Sequence, residues 1–187
     1  MTTGFWANSR RHIWAAVVIY TAGLAVLGLI VAGAILYFGF FNVSAQVKDA
    51  KALEWLLVTT REASIVSNAK GIVAPEPTGP AQIDNGFRLF QTECSMCHSV
   101  PGYEVGIMST GLNPPAPPLD DLVDMTAAET FWVVKNGLRF TGMPAWQAVN
   151  TDAEMWDIVA FLMTSEDLTE DDLIAMGART SPTPTGQ

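Results

Sequence analysis

Cys94-Ser95-Met96-Cys97-His98 is the stretch around which this chain of 187 residues is organised. A Cys-x-x-Cys-His run is the attachment signature of a c-type haem. Thiols three positions apart lie about one helical turn apart, so they can reach the two vinyl groups of one porphyrin. The adjacent imidazole then falls under the iron as a fifth ligand. The sequence has only these two cysteines, and three other uses of them fit less well. A Cys94–Cys97 disulfide leaves His98 without a purpose. A thioredoxin-like redox pair expects a βαβ pattern, and none surrounds the motif. A zinc site lacks a fourth ligand beside these three. The expectation is one haem c, covalently attached through Cys94 and Cys97 with His98 on the iron.

The remaining ligand follows from what else the chain contains. The other histidine, His12, lies far upstream beside Arg10 and Arg11, which excludes a bis-histidine site in the domain around the motif. Haem iron between His and Met is an electron-transfer arrangement. Of eight methionines, Met1 is remote and Met96 lies inside the motif. Met155 and Met163 belong to a helical pattern, Met176 lies beyond it and Met125 precedes a helix cap. Met108 and Met143 remain as loop candidates. Met143 is preferred, because Thr141-Gly142-Met143-Pro144-Ala145-Trp146 pairs a flexible Gly with a rigid Pro that can hold an extended loop across a haem face. Its thioether is soft and stays neutral at any pH, so it suits both iron oxidation states.

Outward from the motif, Ile13 to Phe41 is an uncharged run of 29 residues. As a helix it would reach about 43 Å against about 30 Å for a bilayer core. A cleaved signal sequence has a shorter apolar region, so residues 13–41 are expected to be an uncleaved transmembrane anchor. Arg10 and Arg11 before it assign residues 1–12 to the cytoplasm. The cluster Tyr37, Phe38, Phe40 and Phe41 suits the far membrane interface, which places all that follows in the periplasm. Residues 42–80 read as a connector, a helix over 50–70 followed by a linker with Pro75, Pro77, Gly79 and Pro80. The haem domain is expected over 81–168, with helices at 81–93, from a capping box at Thr126 to Gly137, and from a second at Thr151 to Met163. Residues 169–187 read as a short acidic helix from Glu170 to Met176, ended by Gly177, and a disordered tail from Ser181 to Gln187. No segment alternates as a strand does. The fold class is all-α, an N-terminal transmembrane helix plus a helical haem domain.

The motif, Lys135-Asn136-Gly137, the Met143 loop and Val159-Ala160-Phe161-Leu162 together resemble a class I cytochrome c over about residues 81–165. More narrowly, the chain is similar to the small membrane-anchored monohaem cytochromes of proteobacteria. It also resembles the cytochrome c domains of haem-copper oxidase subunits. The resemblance implies thioethers at Cys94 and Cys97, and His98 and Met143 as iron ligands. It implies packing of Gly86 and Phe90 on Ile158, Phe161 and Leu162. It also implies a proline carbonyl, from within Pro114–Pro118 and by choice Pro117, accepting from His98 Nδ1–H. Arg139 or Trp146 would bond a propionate.

Fifteen acidic residues face four basic ones from Ala81 onward. That discourages nucleic-acid binding and suits steering of a basic partner. The expected role is therefore electron transfer, not catalysis, with no catalytic residue. The implied partners are the lipid bilayer and membrane redox complexes, namely a quinol-oxidising complex and a terminal oxidase or dehydrogenase. A tethered carrier and a fixed subunit of a membrane-bound oxidoreductase both remain open. The Pro-rich linker favours the first, and the Gly-containing anchor, able to pack closely on other helices, favours the second.

Overall fold

The computed structural model describes residues 3–122 and 124–180, with side chains from residue 12 onward. The side chains of Arg10 and Arg11 and the tail Ser181 to Gln187 lie outside the described residues. The chain divides into two compact units, Met1–Val47 and Lys48–Gln187. Every regular element among the described residues is helical, as expected.

The first unit is helix α1, Thr3–Tyr37. Its stretch His12–Tyr37, 26 residues, is long and apolar enough to cross a membrane. At 1.5 Å per residue it measures about 39 Å. The helix stops at Tyr37, short of the expected end at Phe41, because the chain turns through Gly39 at φ 70. Phe38, Phe40 and Phe41 thus follow the helix, and all are exposed.

The second unit holds α2 (Lys51–Asn68), α3 (Pro80–Leu89), α4 (Ala127–Asn136), α5 (Asp152–Ser165) and α6 (Glu170–Thr180). Both anticipated capping boxes are present. Thr126 and Thr151 each accept from the backbone N–H three residues on, and Glu129 and Glu154 accept in return. Such a cap contributes about 1 kcal/mol by satisfying N–H groups that a helix start leaves without partners. Pro80 opens α3 at the first helical position, where its missing N–H costs nothing.

Helices α3 and α5 make the most extensive helix contact of the unit. They meet at Gly86, where an added Cβ would run into the Asp157 carbonyl and the Phe161 Cβ. Close approach brings both Phe87 and Phe90 against Phe161, at ring-centroid distances of 5.2 and 5.4 Å. These rings, with Leu89, Val100, Leu119, Ile158 and Leu162, form one core cluster. The packing implied for Gly86 and Phe90 is therefore present. A second cluster joins α4 to α5 through Phe131, Val134, Met155 and Val159, with Trp156 stacked on Phe131 at 4.1 Å.

Two expectations about the second unit are corrected. The domain boundary expected near residue 80 does not separate two bodies, because α2 packs on α4 within the unit that starts at Lys48. The cause is the stripe Ile65, Ala69 and Ile72. The first two are buried, and Ile72 joins the α4–α5 cluster. Gly177 does not end the last helix, which continues to Thr180. Its missing side chain makes room for the Tyr103 hydroxyl, which donates to the Leu173 carbonyl at 3.1 Å. Leu173 and Met176 are buried in the first core cluster, and Arg179 pairs with Asp84 of α3 at 2.8 Å.

Replacing Gly86 by Val is expected to destabilise the second unit by about 2 kcal/mol through overpacking against α5. Gly111→Ala, whose Cβ would meet nothing, should stay within about 0.5 kcal/mol of wild type. Denaturant unfolding of the two variants checks the difference.

Candidate haem site

The site begins where α3 changes pitch. From Phe90 to Cys94 the backbone forms one turn of π-helix, closed by Ser95 N–H donating to the Phe90 carbonyl at 3.0 Å. Such turns insert an extra residue and recur at functional sites. Ser95 Oγ donates to the Gln91 carbonyl at 2.6 Å. Cys97 and His98 N–H groups then both donate to the Cys94 carbonyl, at 3.0 and 2.9 Å. Cys94, Cys97 and His98 are gathered on a single tight turn.

Neither cysteine is in a disulfide. Burial pushes the Cys94 thiol up to about 12, and the neighbouring Glu93 and Cys97 charges push the same way. It is protonated at neutral pH, unlike the low-pKa thiolate of a dithiol redox centre. The described residues also contain no cluster of three or more His, Cys, Asp and Glu side chains able to hold a metal ion.

His98 Nδ1 lies 2.8 Å from the carbonyl oxygen of Pro117. A carbonyl can only accept, so Nδ1 carries the proton and the lone pair rests on Nε2. Burial lowers the His98 pKa, and the hydrogen bond to Pro117 opposes this only in part. The ring is thereby kept neutral, as a metal ligand must be. Among the four crowded prolines it is Pro117 that orients the imidazole. Leu119 N–H donates to the Ser99 carbonyl at 2.9 Å and ties the Pro117 segment to the motif.

Cys94, Cys97, His98 and Met143 line one cleft of about 740 Å³, within the range of about 300–1,000 Å³ usual for small-molecule and cofactor sites. Its apolar walls include Phe90, Val133, Val134, Ile158 and Leu162. Met143 is placed by the loop after α4. Leu138 N–H donates to the Met143 carbonyl at 3.2 Å. Thr141 Oγ donates to the Leu138 carbonyl at 2.8 Å and accepts from Met143 N–H at 3.1 Å. Met108 lines the same cleft but is half exposed, whereas Met143 packs against the α4–α5 cluster.

Of the two residues suggested for a propionate, Trp146 lines the cleft and Arg139 does not. Sequence reasoning missed one wall altogether. Arg61, Glu62, Ile65 and Val66 of α2 contribute to the cleft, and Arg61 is the only Lys or Arg among the lining residues. The signal was available, since Arg61 lies one helical turn before Ile65 on the stripe that α2 buries.

Two thiols, a neutral imidazole with Nε2 free and a thioether, all on one largely apolar cleft, are a donor set that fits an iron porphyrin. That is the donor set of a c-type cytochrome. Residues 81–162 match the family model described as Cytochrome C oxidase, cbb3-type, subunit III, so the chain carries a cytochrome c domain, which implies haem binding and electron transfer. No curated protein matches the chain.

Thr141→Val removes both loop hydrogen bonds at nearly constant volume. It is expected to lower stability by about 1 kcal/mol and to speed hydrogen exchange of the Met143 amide. Exchange read by NMR, with the amide of Val134 in α4 as the internal reference, checks it.

Proposed function

We propose that the chain is a class I, membrane-anchored monohaem cytochrome that passes single electrons between periplasm-facing respiratory partners. The observation that carries this reading is the convergence of Cys94, Cys97, His98 and Met143 on one cleft. One haem c would be linked through the Cys94 and Cys97 thiols and held by His98 Nε2 and the Met143 sulfur, which would supply ligands to its iron. The bound haem supplies a one-electron couple, and Met/His ligation and burial raise its potential. Pro117 holds the imidazole in its ligating tautomer. Thr141 holds the Met143 loop. Val133, Val134, Ile158 and Leu162 keep water from the cleft. No proton need move, since neither axial donor titrates while ligating.

Helix α1 is the proposed anchor, crossing the inner membrane of a bacterium once. The positive pair Arg10 and Arg11 before the apolar stretch supports a cytoplasmic N-terminus and a periplasmic haem domain. The partners of a carrier of this kind are a quinol-oxidising complex and a terminal oxidase or dehydrogenase. A second reading, a fixed non-catalytic subunit of a membrane oxidase complex, is favoured by the match of residues 81–162 to an oxidase subunit family. The folding of α2 onto α4 also supports it, since only 38–50 and 69–79 are then non-helical among residues 38–79. Mild detergent extraction followed by size and haem analysis separates the two. A carrier runs alone, and a subunit runs with its complex.

Met143→Ala is expected to lower the midpoint potential and to remove the weak near-infrared band of methionine bound to ferric iron. Met108→Ala should leave both unchanged. Survival of the band in the Met143 variant contradicts the ligand assignment.

A further inference from the structure

We infer that Arg61 of α2 binds a haem propionate, so that the helix preceding the family-matched segment completes the cofactor site. This rests on the haem reading above and extends it to a residue outside 81–162. The first ground is charge. Among the residues that line the cleft are five acidic ones, Glu62, Glu93, Asp121, Asp124 and Glu129, and one basic one, Arg61. A porphyrin bearing two carboxylates finds, among the charged residues of this lining, attraction only at Arg61. The second ground is satisfaction. The Arg61 side chain is 37% exposed, yet its only ion pair among the described residues is a 4.0 Å approach to its chain neighbour Glu62. It makes no hydrogen bond to any described residue. A guanidinium stays charged and offers five donors in a fork matched to a carboxylate. The third ground is placement. Ile65, one turn further along α2, is buried and also lines the cleft, so the packing of α2 on α4 holds the Arg61 position against the site.

The alternative, Arg139, lies outside the lining. Trp146 does line it, and its indole N–H can serve the second carboxylate. No covalent step is involved. Arg61 contributes two hydrogen bonds and one positive charge to a group held elsewhere by thioethers.

The test uses the full-length haem protein in detergent, with Arg61→Gln, Arg61→Met and Arg61→Lys. The Met variant keeps the apolar cover of the stem. Resonance Raman spectra report the propionate-bending band, and spectroelectrochemistry reports the midpoint. In the Gln and Met variants the propionate band should shift and the midpoint should fall, because a cation that favours the reduced state is lost. Arg61→Lys should recover most of the midpoint, and the near-infrared methionine band should persist in all three. An unshifted propionate band in either charge-removing variant overturns the inference, whatever happens to the midpoint or the melting temperature. Wild-type protein that carries no haem overturns instead the reading on which it rests.

Discussion

The close crossing of α3 and α5 at Gly86 is the constraint from which the site hangs. With only a hydrogen at that position, the α3 backbone lies against the Asp157 carbonyl, and Phe87 and Phe90 both pack against Phe161. That contact fixes Phe90, the residue at which the helix opens into its π-turn. The turn carries Cys94, and the next turn carries Cys97 and His98. A helix–helix contact that touches no ligand therefore sets where two thiols and an imidazole stand. The Pro117 carbonyl then settles which nitrogen of that imidazole is free.

The electrostatics of the cleft follow a consistent pattern. Its donors are neutral, since burial favours the uncharged forms of both Cys94 and His98, and a thioether has no proton to lose. Its lining charges are mostly negative, in keeping with fifteen acidic residues against four basic ones after residue 80. A carboxylate-bearing porphyrin entering such a cleft needs a compensating cation. Among the described residues that line it, the one Lys or Arg comes from α2, which sequence reading assigned to a connector. The segment between the apolar helix and the matched domain is therefore part of the domain's architecture.

What could be read from the sequence was local. The motif from Cys94 to His98, the capping boxes at Thr126 and Thr151 and the loop around Met143 each carry their meaning within six residues; both capping boxes are present, and the motif and Met143 line one cleft. The resemblance to class I cytochromes pointed to a proline carbonyl and to contact between Gly86 and Phe161. Contacts between distant segments were harder. The packing of α2 on α4, and of Ile72 on the α4–α5 cluster, depends on a face that the chain supplies more than fifty residues later. A glycine near a helix end reads as a cap, and Gly177 is instead a cavity for the Tyr103 hydroxyl from seventy-four residues upstream. The end of α1 at Tyr37 was lost in a run whose apolar character continues to Phe41.

The central claim is that this cleft holds one haem bound covalently through both motif thiols. Mass spectrometry of the proteolytic peptide containing Cys94 to His98, after acid–acetone extraction, tests it most directly. The account predicts that this peptide retains the mass of one haem and that its reduced pyridine adduct has the spectrum of a porphyrin with both vinyl groups saturated. A peptide with two free thiols, the haem having passed into the acetone, would contradict it.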